Sequence, residues 1–132
     1  MAEVGQLRTV LRANAAVTGA CGVLMLAAGA RLAEAMEVER AVVTAVAAFF
    51  LVLAVDVGYL AGRAPGTVVA TGRLLAVADA GWTLATIALV VAGVLPLAGA
   101  LLALAVAAVT AGFAVAEHRA AAAARPALAV AV

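Results

Sequence analysis

The stretch AVVTAVAAFFLVLAVDVGYLAG, residues 41–62, decides the fold. It lies between Arg40 and Arg63 and carries a single charged residue, Asp56. About 20 consecutive apolar residues in a helix cross the ~30 Å hydrocarbon core of a bilayer. A strand hairpin of this length would leave backbone N–H and C=O groups without partners in lipid, so the helix is the expected form. Three more runs of the same kind follow the same logic. Residues 13–30 come after Arg8 and Arg12, residues 74–94 are entered from about Thr67, and residues 97–116 are closed by Glu117-His118-Arg119. The expected fold is an all-α integral membrane four-helix bundle, up-down-up-down. It forms one domain over residues 1–119, with spans at about 8–32, 41–62, 68–94 and 96–118 and a flexible tail over 120–132.

Composition agrees with lipid as the solvent. Of 132 residues, 69% are hydrophobic and 11% charged, against roughly half and a quarter in a soluble domain. A chain this short has too much surface to hide that much apolar material from water. The net charge is +1, and all eight basic residues are arginine. Nucleic acid is therefore not an expected partner, and without lysine no Schiff-base chemistry is open to the chain. The lone Cys21 excludes an internal disulfide or a CxxC pair. Serine is absent and neither a phosphate-binding glycine loop nor a metal-ligand spacing occurs, so no enzyme activity, cofactor or metal is expected.

The breaks between runs are short. Residues 31–40 extend the first helix and then turn, Pro65-Gly66 forms a turn with Thr67 as its helix cap, and Pro96 starts the last helix. The first run has the arginines and the A-x-A ending of a signal peptide. It also holds Asn14 and Thr18 and is as long as a span, so it is expected to stay as one. Arg8, Arg12, Arg63, Arg73, Arg119 and Arg125 fall on one side of the bundle, and only Arg31 and Arg40 on the other. That bias places both termini in the cytoplasm.

Polar residues inside spans mark candidate sites, because they are costly in lipid and face the bundle interior. The candidate cluster is Arg12, Asn14, Asp56, Arg73, Asp79, Thr83 and Thr86. If the second and third spans pack as a hairpin about residue 65, Asp56 comes level with Arg73 and the two pair. Asp79 then lies deeper and takes Arg12. Asp79, Thr83 and Thr86 share one helix face, and Trp82 borders it. Glu117-His118-Arg119 is expected at the membrane interface. Small-residue pairs, Gly58 with Gly62, Ala15 with Gly19 and Ala108 with Gly112, permit close helix approach within the bundle.

Arg12-Ala13-Asn14 and Asp79-Ala80-Gly81-Trp82 resemble the R-x-N opening and third-span D-x-x-W of uncharacterised small four-span bacterial membrane proteins. The resemblance implies the fold and an inner-membrane location, and no activity. Small multidrug transporters carry a glutamate in the middle of the first span, which is missing here. Two kinds of function stay open. One is a non-enzymatic accessory or scaffolding subunit or lipophilic-ligand binder, with membrane lipids and a larger complex or second copy as partners. The other is a proton- or ion-coupled transporter or channel using Asp79 and Asp56. A transporter should leave Asp79 without an ion-pair partner beside a cavity, and a scaffold should pair it inside a closed bundle.

Overall fold

Apolar stripes repeating every three to four residues organise the chain into helices that bury one seam each. In the computed structural model, which describes residues 1–129 and side chains through residue 124, these are α1 (Ala2–Ala27), α2 (Gly29–Met36), α3 (Arg40–Leu60), α4 (Pro65–Val91) and α5 (Leu97–Ala129). The four long helices are each long and apolar enough to cross a membrane. Their outward faces carry large apolar side chains such as Val55, Leu74, Val77, Leu84 and Val91, as a lipid-facing surface requires.

The helix boundaries differ from the sequence expectation in three places. The first helix does not run on through residue 36: it breaks at Ala28, and α2 continues as a short separate piece. That piece ends at Glu37, which takes a left-handed conformation (φ 53°), while Glu37 and Val38 donate back to the carbonyls of Glu34 and Ala33. α4 begins at Pro65 with Ala64 as its cap, so Thr67 is already inside the helix. Proline at the first helical position has no N–H to strand. The segment expected to be a flexible tail is helical as far as Ala129, and Ala120, Ala121 and Ala124 are buried. Alanine is the best helix former, and here its small side chain also packs. Residues 130–132 lie outside the described part.

The larger correction concerns which helices touch. α1 packs along α3 and also against α5, and α5 packs along α4, whereas α3 and α4, although consecutive, barely meet. α1 is the inner helix. Its stripe of Val4, Leu7, Leu11, Asn14 and Gly22 is buried. Glycine lets the helices approach. A Cβ on Gly22 would sit 2.9 Å from Leu51 Cγ and 3.0 Å from the Ala47 carbonyl oxygen of α3, and one on Gly72 of α4 would sit 2.8 Å from Leu7 Cδ1. Of the small-residue pairs, Gly19 and Gly58 face α3 and α1 respectively, through Ala54 and Ala15, whereas Gly112 meets nothing.

The core is concentrated toward the start of α1. Val4, Leu7 and Leu11 meet Val57, Ala61, Val68, Val69, Leu75, Ala120, Ala121 and Ala124 there. At the same end Arg8 donates from Nη1 to the Ala61 carbonyl at 3.0 Å and from Nη2 to the Arg63 carbonyl at 2.7 Å. The guanidinium thus satisfies carbonyls that a helix end leaves orphaned. Arg63 in turn lies over the Tyr59 ring at 5.0 Å. At the opposite end α2 packs on α3 and α5, and a Cβ at Gly99 would meet Met36 Cα at 3.2 Å.

Candidate functional site

The buried stripes carry polar residues in register with their apolar ones. Asn14 follows Leu7 and Leu11 on α1, Asp79 follows Gly72 and Ala76 on α4, and Glu117 precedes Ala121 and Ala124 on α5. Asn14 lies about 12 residues into α1 and Glu117 about 12 before the end of α5, roughly 18 Å along either helix. The three meet at one level. Asn14 Nδ2 donates to Asp79 Oδ2 at 2.9 Å and to Glu117 Oε1 at 2.7 Å. Its Oδ1 accepts from Thr18 Oγ1 at 2.9 Å. A primary amide has two N–H donors and one carbonyl, and here a single Asn14 uses both donors to hold two carboxyl groups. Glu117 is 0% exposed, and its Oε2 has no hydrogen-bond partner among the described residues.

This is not the arrangement expected from the sequence. Arg12 does not pair with Asp79, and Arg73 does not pair with Asp56. Among the described residues the only ion pair joins the N-terminal amine to Glu3. Arg12, Asp56 and Arg73 are all exposed. Two physical reasons account for the difference. Arg12 precedes Asn14 by two residues, about 200° round the helix, and so lies on the opposite face. The Asp56–Arg73 pairing assumed a packed α3–α4 hairpin, and those helices are apart. Asn14 and Asp79 do belong to the site. Thr83 lies one turn on, where its hydroxyl donates to the Asp79 carbonyl at 2.8 Å and shares a 3.0 Å hydrogen bond with Thr110 of α5. Thr86 is buried further along the same face.

Glu117 was missed because it was assigned to the interface with His118 and Arg119. The signal that places it inside is the spacing of Ala107, Thr110, Ala114, Glu117, Ala121 and Ala124, an unbroken three-four repeat that runs through the glutamate.

Beside the cluster lies a cavity of about 330 Å³, lined by all four long helices. Asn14, Thr18, Asp79 and Thr110 are its polar side, the Thr110 hydroxyl being engaged with Thr83 and the Ala107 carbonyl, and most of the rest is apolar, with Phe49, Phe50, Trp82 and Phe113 among the lining. Phe50 of α3 meets Trp82 of α4 edge-on, with ring centroids 5.5 Å apart. The cavity exists because α3 and α4 do not close on each other. Among the described residues no group of His, Cys, Asp and Glu could hold a metal ion. Comparison with protein-family models, curated proteins and solved structures finds no match to this chain.

Proposed function

We propose that this protein is a non-enzymatic, multi-pass membrane protein that binds a small lipophilic molecule between its four spans. In this reading the bundle sits up-down-up-down in a bacterial inner membrane, with both termini in the cytoplasm, on the side with six of the eight arginines. The observation that carries the reading is the cavity. At about 330 Å³ it is at the lower end of the ~300–1,000 Å³ range of small-molecule sites. It also has the usual make-up of such sites, apolar and aromatic walls with a few convergent polar groups.

A scaffold with no ligand would close its bundle and pair Asp79. The cavity and the absence of an arginine on Asp79 among the described residues both speak against a closed scaffold, and the apolar, aromatic lining supports binding. The same two features support a second reading, a small proton- or ion-coupled transporter, with Asp79 and Glu117 as its intramembrane acids. Asp56 has no part in it, because it is exposed on the outside of α3.

The sole tryptophan, Trp82, lines the cavity and reports on occupancy. With the protein in phosphatidylcholine nanodiscs, 1-octanol should shift Trp82 emission saturably. Val109→Phe, which fills the cavity from α5, should weaken that response. A native response that is linear in octanol and identical in the variant would reject the binding site.

A further inference from the structure

We infer that the ligand's polar end is a cationic hydrogen-bond donor, so that the site selects lipophilic primary or secondary ammonium compounds; this deepens the ligand-binding reading and rests on it. The argument starts from hydrogen-bonding capacity. The polar wall of the cavity presents Asp79, a group with acceptor oxygens, and Asn14, whose two N–H donors are already committed to Asp79 and Glu117. The Asn14 carbonyl is an acceptor too, as is the oxygen of the Thr18 hydroxyl whose proton it takes. On this polar wall a neutral carbonyl or ether would find acceptors facing it, and the donors left to it are the Trp82 indole N–H and the weak Cys21 thiol on the other walls. An N–H group would find acceptors.

Charge points the same way. Two carboxyl groups share one amide nitrogen, and no arginine contacts either among the described residues. Among the described residues no donor reaches Glu117 Oε2, which is fully buried. A positive head group beside Asp79 supplies the counter-charge that the fold itself omits. The rings of Phe49, Phe50, Trp82 and Phe113 complete the match, since aromatic faces attract cations and their carbon surface takes an alkyl or aryl body. A carboxylate or phosphate ligand would face the acceptor oxygens of Asp79, Asn14 and Thr18 on this wall.

The test compares probes of one chain length on the native protein. Octylammonium, 1-octanol and octanoate are titrated against Trp82 emission in zwitterionic phosphatidylcholine nanodiscs at neutral pH. The inference expects octylammonium to bind roughly ten- to a hundred-fold more tightly than octanol, the range for one charge-assisted hydrogen bond in a dry site. Octanoate should bind worst. Asp79→Asn should abolish the preference, so that octylammonium and octanol bind that variant about equally. Equal affinity for octylammonium and octanol in the native protein would overturn the ammonium assignment and leave the lipophilic cavity standing. No saturable response to any of the three would overturn both. The probe comparison does not depend on a variant, so it decides the matter even if Asp79→Asn does not fold.

Discussion

The bundle has two halves built from the same kinds of residue, and they pack differently. Toward the start of α1, Leu7 and Leu11 are fully buried against α3, α4 and α5, Leu7 fills the space left by Gly72, and Arg8 ties down the end of α3. Beyond Asn14, α1 and α3 stay in close contact at Gly22 and Ala47, but α3 and α4 part around a cavity, across which Phe50 and Trp82 meet edge to face. The Asn14–Asp79–Glu117 layer is the border. Small and branched residues at helical spacing permit close packing. The aromatic rings of Phe49, Phe50, Trp82 and Phe113 line the cavity where the helices are apart. The closed half joins all four long helices, whereas in the other half α1–α3 and α4–α5 pack as pairs with the cavity between them.

The largest expected effect tests that division directly. Leu11→Ala, in the closed half, should cost about 2–5 kcal/mol, the range for emptying a filled core position. Val109→Ala, on the cavity wall, should cost under about 1 kcal/mol, because its neighbours already border empty space. Unfolding of both variants by SDS in mixed micelles gives the two numbers. Similar losses would erase the contrast between the halves.

The border layer comes next. Asn14→Leu removes the donor for two carboxyl groups at once. The expected loss is about 1–3 kcal/mol, since Asp79 is only part-buried and Glu117 is the one group left fully buried without a donor. A double-mutant cycle with Glu117→Gln should show that the two positions are coupled. Additive losses would mean that the amide does not bridge the acids.

The smallest effect is expected where the sequence pointed to a strong one. Asp56→Asn and Arg73→Gln should each change stability by less than about 0.5 kcal/mol, since both side chains are exposed. Their coupling energy should be close to zero. A coupling of about 1 kcal/mol or more would bring α3 and α4 together and close the cavity.

These three cases show what a single sequence conveys about such a bundle. The spans were legible because a run such as residues 41–62 has one charge in a continuous apolar stretch, which has few alternatives. The face of α4 with Asp79 and Thr83 was legible from helical periodicity alone. The neighbour relations were not. Short turns put consecutive helices side by side in many bundles, yet α1 comes between and takes α3, leaving α4 to α5. Glu117 was hidden for a related reason. A glutamate beside a histidine and an arginine has the composition of a helix end, and only the alanines beyond it, which continue the seam, show that the helix has not ended.

The bonds of Asn14 also set an order of assembly. Its partner Asp79 is 65 residues further along the chain, and Glu117 is 103. A ribosome feeding this chain into the membrane delivers Asn14 first and leaves its amide unengaged while two more spans are made. Arg8 waits in the same way for carbonyls 53 and 55 residues downstream. The closed half can therefore begin to form once α3 and its turn have emerged. The polar layer is complete only after Glu117 of α5 has been synthesised, and the closed half is completed just behind it, when Ala120, Ala121 and Ala124 arrive.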